Sequence, residues 1–260
     1  FALPLSEKMK IHISQSNNHR GYVPLLEENT DPMAKGDLHE ALDFALEVPS
    51  NDPDVLAGKT LYGPNVYPAE FTGFREAIDQ YYWALYQLGR RIFRAFALAL
   101  DLPEDYFDAK ITKPLAQLRL LHYPPQSNCI DEQQIGTGAH SDYECFTILA
   151  QDAVGGLQVL NSAGEWISAM PIPGTFVVNI GDQMARWTND LFASTVHRAI
   201  NRATEARYSI PYFFGPNYDT MIETLPTCIR ADQPAKYQSV ITGEYIISRF
   251  NETFSYRQTQ

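Results

Sequence analysis

His140 and Asp142 stand two positions apart in "GAHSDYECFTILAQ", just ahead of an apolar run, and His197 follows Asp142 after 54 intervening residues. On an extended chain, residues i and i+2 project from one face, so this imidazole and carboxylate can converge on one point. Two imidazoles and one carboxylate suit a borderline divalent metal. A facial triad that leaves coordination positions open is the usual holder of non-haem Fe(II). A structural zinc would want a fourth protein ligand. After nine more residues comes Arg207-x-Ser209, in "ARYSIPYFF". A planar guanidinium beside a hydroxyl is a receptor for a carboxylate. Metal donors and a carboxylate clamp on neighbouring strands point to a bound dicarboxylate, chelating the metal at one end and pairing with Arg207 at the other. 2-Oxoglutarate has that shape.

Each piece alone is weak. An isolated H-x-D is common by chance, and a lone arginine is more often an ion-pair residue. The joint pattern of H-x-D, His and R-x-S, all on expected strands, carries the reading. The remaining histidines read differently: His12, His19 and His39 as solvated, His122 as a packed strand residue. Gly155-Gly156 and Gly181-Asp182 read as tight turns.

The elements that must position these residues follow from periodicity. Residues 11–69 are rich in turn formers, as in "NNHRGYVPLLEENTDPMAKGD" and "VPSNDPD". From Phe71 to Leu100 apolar residues recur every three or four positions, which predicts one long amphipathic helix, and Pro103 then opens a short one. Beyond residue 115, "AQLRLLHY", "CFTILAQ", "GLQVLN", "EWISAM", "TFVVNIG", "STVHRAI" and "RYSIPYFFG" read as short strands separated by Gly, Pro, Asn and Asp. Helices first and strands later predict an α+β fold, an antiparallel roll with helices on one side.

Composition sets the limits. Of 260 residues, 45% are hydrophobic, 12% aromatic and 20% charged, a globular mixture. The net charge of −11 disfavours nucleic acid or an anionic membrane as partner. No stretch approaches the roughly 20 apolar residues of a membrane span. Cys129, Cys145 and Cys228 lack metal-ligand spacing and are odd in number, which fits a reducing compartment, expected to be the cytoplasm. The chain opens on Phe1, and "FALPLSEKMK" reads as the end of a helix rather than a signal peptide. A longer natural protein is therefore expected.

Three stretches, "GAHSDYECFTILAQDAVGGLQVLN", "PIPGTFVVNIGDQMARWTNDLFASTVHRA" and "RYSIPYFFGPN", resemble the iron(II)- and 2-oxoglutarate-dependent oxygenases of the isopenicillin-N-synthase-like group. The resemblance is strongest to fungal members, thymine 7-hydroxylase and natural-product oxygenases among them. It implies a distorted double-stranded β-helix, or jelly roll, with flanking helices. It divides the chain into a flank over 1–114, a catalytic core over 115–220 and a C-terminal segment over 221–260, in a single domain lacking an N-terminal strand-helix-strand. It implies His140, Asp142 and His197 as iron ligands, Arg207 and Ser209 as the clamp for the distal carboxylate of 2-oxoglutarate, and Tyr123 as a further contact to it. Plant members usually carry Asn where Leu121 stands here. The implied reaction consumes O2 and 2-oxoglutarate, releases succinate and CO2, and oxidises a small organic molecule, most simply by hydroxylation.

A substrate pocket follows. Arg119 lies four positions before Tyr123 on one strand, and Phe213 continues the two-residue rhythm of Arg207, Ser209 and Pro211, so both should point inward. With Tyr143 they match positions that line the pocket in thymine 7-hydroxylase. The plainer alternative for Arg119 is an ion pair with a core carboxylate, and for Phe213 core filling. Two other readings of the whole are an iron oxidase of the same fold that does not use 2-oxoglutarate, and a non-catalytic jelly-roll module with a structural metal.

Overall fold

The computed structural model describes residues 1–30, 36–69, 71–126, 135–201, 203–254 and 257; Cys129 lies outside them. Its strands are β1 (Gly21–Val23), β2 (Glu40–Ala45), β3 (Pro114–Tyr123), β4 (Thr137–His140), β5 (Phe146–Gln151), β6 (Leu157–Leu160), β7 (Trp166–Ser168), β8 (Val177–Ile180), β9 (His197–Ala199), β10 (Arg207–Asn217), β11 (Met221–Ile222) and β12 (Val240–Ile241). The helices are α1 (Leu5–Lys8), α2 (Pro53–Leu56), α3 (Phe74–Ala99), α4 (Asp182–Trp187) and α5 (Thr242–Thr253). Ten strands form two antiparallel sheets, one ordered β1-β2-β3-β10-β5-β8 and the other β4-β9-β6-β7. This is the jelly-roll arrangement, and all seven strands expected beyond residue 115 are present within it.

Period-two alternation splits the large sheet into two faces. On β10, Tyr212 and Phe214 point to α3, while Arg207, Ser209, Pro211 and Phe213 point into a cavity. β3 and β5 repeat this: Leu118 and Ile148 are in the core with α3, while Arg119, Tyr123, Thr147 and Leu149 line the cavity. A slip of one residue in register would exchange the two sets, so burial on the α3 side fixes which side chains reach the cavity.

α3 presents Ile78, Tyr82, Leu85, Tyr86, Gly89, Phe93 and Ala97 to this sheet. Tyr82 meets Tyr212 edge-on at 5.2 Å, and Phe93 meets Phe146 and Phe214 at 5.0 and 5.3 Å. Gly89 is required by close approach, since a Cβ there would fall 2.2 Å from the Phe214 ring. The helix ends in a Schellman motif: Asp101 is left-handed (φ 56°), Leu102 N–H donates to Ala97 C=O at 2.9 Å and Asp101 N–H to Leu98 C=O at 3.2 Å. Pro103 then opens a turn, and the next helical piece is a 3-10 turn at Asp108–Lys110.

Four expectations are corrected. The turn-rich flank contains β1 and β2, which extend the main sheet; short strands between many turn formers give little periodic signal. His19 and His39 are buried, not solvated. His19 stacks on Phe250 at 4.0 Å, and His39 is held by hydrogen bonds described below. Gly181-Asp182 is the start of α4 rather than a tight turn. Asp142 lies just past β4, in the loop before β5, not on a strand. Among the described residues, no helix is long and apolar enough to cross a membrane.

Candidate metal and cosubstrate site

His140 ends β4 and pairs across the small sheet with His197 at the start of β9, so strand pairing alone sets their rings 4.4 Å apart. Each ring is oriented by a local carbonyl: His140 Nδ1 lies 2.8 Å from Gly138 O, and His197 Nδ1 2.9 Å from Thr195 O. A carbonyl can only accept, so both Nδ1 atoms carry the proton and both Nε2 lone pairs are free for a metal. The Nε2 atoms lie 3.7 and 3.6 Å from Asp142 Oδ1. Burial, with His197 adding to it, lowers His140 to about 4, so the ring is neutral.

Asp142 is held from the large sheet. Thr147 Oγ1 on β5 donates to Asp142 Oδ2 at 2.5 Å, and Asn179 Nδ2 on β8 donates to the same oxygen at 2.6 Å. Burial would raise this carboxyl, but the two imidazoles and these donors hold it below its ordinary value. Its backbone is fastened by the start of α4: Asp182, Gly181 and Gln183 N–H donate to the carbonyls of Asp142, Cys145 and Glu144 at 2.8, 2.9 and 3.2 Å. Thr147 and Asn179 were missed in the sequence. Their signal was a lone polar residue inside each of the apolar runs "CFTILAQ" and "TFVVNIG".

Arg207 and Ser209, the expected carboxylate clamp, stand on the opposite wall of the same cavity. Arg207 is 1% exposed, with no carboxylate in ion-pair contact among the described residues. Its Nε donates to Gly155 C=O, its Nη1 to Ser209 Oγ at 3.2 Å, and its guanidinium lies 4.6 Å over the Tyr123 ring. The Tyr123 hydroxyl meets Thr137 Oγ1 at 3.0 Å. Burial would raise the Tyr123 phenol, but Arg207 and His39 bring it below its ordinary value. Gly156 completes the cradle: at φ 99° it is left-handed, and a Cβ there would meet Ile200 O at 2.5 Å. A buried cation without a counter-ion is costly unless a ligand supplies the anion.

Arg119, Phe213 and Tyr143, expected to line a substrate pocket, lie on this cavity too, which encloses about 870 Å3 with its open mouth included. Arg119 does so while already ion-paired: its Nη1 and Nη2 donate to the two oxygens of Glu28 at 2.8 and 2.5 Å, and its Nε lies 3.0 Å from Asp43 Oδ1. His39 Nε2 reaches Glu28 at 3.0 Å and its Nδ1 reaches Gly136 O at 2.8 Å. Tyr143 packs edge-on against Phe250, with its hydroxyl 2.6 Å from Thr253 Oγ1. Phe213 faces the cavity from β10. Glu28, His39 and Asp43 had no sequence signal, because they come from the turn-rich flank.

Known proteins agree with this arrangement. Residues 114–216 match the 2OG-Fe(II) oxygenase superfamily, and residues 1–70 match the N-terminal part of the non-haem dioxygenases, described as that of morphine synthesis. The 2-oxoglutarate-Fe(II) type oxidoreductase hxnY of Emericella nidulans is 38% identical over 259 residues, covering 98% of this chain and 74% of that protein. The chain belongs to the 2OG-Fe(II) oxygenase superfamily. A homoarginine-6-hydroxylase of Oryza sativa is 36% identical, covering 98% of this chain and 78% of that one. The crystal structure of Neurospora crassa thymine 7-hydroxylase with alpha-KG and thymine superposes with a TM-score of 0.84 at 33% identity, covering 97% of this chain and 80% of that chain. The protein is thus an Fe(II)- and 2-oxoglutarate-dependent oxygenase, with O2 as second cosubstrate. Dependence on 2-oxoglutarate sets aside the other two readings weighed from the sequence.

Proposed function

We propose that this oxygenase hydroxylates a small nitrogen-containing organic molecule, with His140, Asp142 and His197 holding Fe(II) and Arg207 and Ser209 holding 2-oxoglutarate. The observation that carries the site assignment is the Arg207 guanidinium. Among the described residues it is buried without a carboxylate partner, on the cavity that also contains the three metal donors. The donor set fits the metal: two imidazoles whose Nε2 atoms face the carboxylate of Asp142, three donors with no fourth in the group among the described residues. When bound, Fe(II) with 2-oxoglutarate supplies the oxidising power, and the decarboxylation products are succinate and CO2.

The chain's own residues position and shield. Arg207 and Ser209 bind the distal carboxylate, and Tyr123 packs beneath it. Leu121, Leu149 and Leu157 make the adjoining wall apolar, which excludes water and limits side reactions. Phe213 and Tyr143 offer aromatic contacts to the substrate. Arg119 offers the face of a guanidinium whose edges Glu28 and Asp43 occupy, a surface for stacking on a planar group.

The chain acts as a single domain, because β1 and β2 from the flank complete the sheet that carries the clamp. The relatives named for homoarginine and for a thymine complex support a nitrogenous small molecule, and the fungal relative supports a place in fungal small-molecule metabolism, including secondary metabolism. The net charge of −11 favours such a molecule over nucleic acid. The free thiols of Cys145 and Cys228 favour the cytoplasm. The test is succinate release with Fe(II), 2-oxoglutarate and O2, measured with product mass across nitrogenous candidates. A product about 16 Da heavier, formed in step with succinate, is expected for hydroxylation. Succinate that never responds to any nitrogenous candidate would sink the substrate class.

A further inference from the structure

Asp142 belongs to the metal triad and Glu28 is taken by Arg119 and His39, but one carboxyl group on the cavity wall remains unclaimed. Glu144 is 4% exposed. It forms no ion pair among the described residues, and its carboxyl accepts a hydrogen bond from its own backbone N–H. It lines the cavity of the triad and also a second, smaller one of about 320 Å3. Gln117 and Phe250 line both as well, so the two spaces meet at these side chains. The room for Glu144 comes from Gly215, where a Cβ would stand 3.2 Å from Glu144 Cγ.

Two neighbours are equally uncommitted. The Gln117 side chain makes no hydrogen bond among the described residues. Phe213 lies directly across from it in the β3–β10 register, and its ring contacts no other ring or cation among the described residues. The other aromatic faces on this wall are covered by cations: Phe254 by Arg119 at 5.8 Å, Tyr143 by Arg249 at 5.1 Å and Phe250 by Arg257 at 5.7 Å. An amide oxygen and an open aromatic face on the adjacent strands β3 and β10, with a buried carboxyl from the loop before β5, are the parts of a receptor for an organic cation. A cation seated against a buried carboxyl is held there by a charge-assisted hydrogen bond.

We propose that Glu144, Gln117 and Phe213 form the recognition site for a basic nitrogen of the substrate, an ammonium, amidinium or guanidinium group. This rests on the oxygenase site assigned above and narrows its substrate class from nitrogenous to cationic. Glu144 supplies the counter-charge, Gln117 Oε1 accepts a second N–H, and Phe213 covers the cation's face.

The test uses a matched pair of probes, benzamidine and its neutral isostere benzamide, titrated calorimetrically into the anaerobic Fe(II)·2-oxoglutarate enzyme. Benzamidine should bind at least about tenfold more tightly, as a charged hydrogen bond requires. Glu144→Gln should erase the preference, whereas Glu144→Asp, which keeps the charge, should retain it with weaker binding. Gln117→Leu should weaken benzamidine by a smaller factor. Equal binding of the probes to the wild type, no benzamidine binding, or a preference that survives Glu144→Gln would each overturn the proposal. The visible band formed when 2-oxoglutarate chelates the iron is recorded in every sample. Its absence from the wild type counts against the site assignment, and its presence without a probe preference counts against the cation site alone.

Discussion

Arg119 and Glu28 face each other fork to fork, with two parallel hydrogen bonds of 2.8 and 2.5 Å between β3 and the segment after β1. Asp43 on β2 closes the third side of the guanidinium, so one cation joins a core strand to two flanking elements. Removing it takes the guanidinium away from two buried carboxylates and leaves Glu28 with His39 alone. Arg119→Met is therefore expected to destabilise the protein by about 3–5 kcal/mol. Urea unfolding measures this, and adding Glu28→Gln should recover part of the loss. A single variant as stable as the wild type would mean that the pair contributes nothing.

Metal affinity should depend on Thr147 and Asn179 although neither is proposed as a ligand. Both donate to Asp142 Oδ2 and so aim Oδ1 at the two imidazoles. Asn179→Ala is expected to weaken Fe(II) binding about tenfold to a hundredfold, and His197→Ala to lower it much further. Anaerobic titration with Fe(II), or with Co(II) followed by its visible spectrum, gives the constants. Wild-type affinity in His197→Ala would remove that residue from the ligand set.

Arg207→Lys keeps the charge but loses the planar fork that reaches Gly155, Ser209 and the incoming carboxylate together. The KM for 2-oxoglutarate is expected to rise about tenfold to a hundredfold, with kcat changing less. Steady-state succinate assays at varied 2-oxoglutarate separate the two constants. An unchanged KM would move the distal carboxylate elsewhere.

The parts of this architecture that a sequence can disclose are those with a period or a motif. The apolar stripe of α3 announced that helix, and alternation in "RYSIPYFFG" disclosed both the core-facing Tyr212 and Phe214 and the cavity-facing Arg207 and Ser209. His140, Asp142 and His197 were legible because three metal-binding residues, two His and one Asp, fall in one family pattern. Glu28, His39 and Asp43 were not, since nothing local marks a charged residue for burial when its partner is Arg119, dozens of positions away. Burial of His19 depends in the same way on α5, whose Phe250 it stacks upon. The helix start at Gly181 was hidden because Gly-Asp serves turns and N-termini alike, and the loop it fastens is remote in sequence.

His39 links stability to pH. Burial opposes its charge, but the Glu28 carboxylate outweighs burial and raises His39 to about 9. The folded state therefore holds this proton more tightly than the unfolded chain, whose histidine titrates near 6.5. Its stabilisation is complete below the unfolded value and is lost as pH rises through about 9. Asp43, raised to about 6 by burial, titrates below this window. Between pH 7 and 9.5 the wild type should lose about 2 kcal/mol more than His39→Gln in urea unfolding. Parallel pH curves for the two proteins would show that His39 is not charged in the fold.

Gly181 supports the metal loop through space that only a hydrogen can occupy. Its backbone is extended (φ −112°, ψ 178°), so any residue could adopt the conformation and no strain arises from the dihedrals. The constraint is contact: a Cβ would fall 2.4 Å from Glu144 O and 2.9 Å from Asp142 O. Those two carbonyls accept from Gln183 and Asp182 N–H, so the added methyl would push on the bonds that hold the 142–144 loop to α4. Displacing that loop shifts the Asp142 carboxylate relative to His140 and His197, which stand on the other sheet and do not follow it. Gly181→Ala is thus expected to weaken Fe(II) binding by at least about tenfold, as loss of an orienting contact does, with a stability cost of about 1–3 kcal/mol from overpacking. Gly164→Ala is the control: that glycine has a left-handed φ of 79° with open space around it, so it should lose stability without losing metal affinity. Anaerobic Fe(II) titration and urea unfolding of both variants separate the effects. Full metal affinity in Gly181→Ala would show that the loop absorbs the methyl without moving its carboxylate.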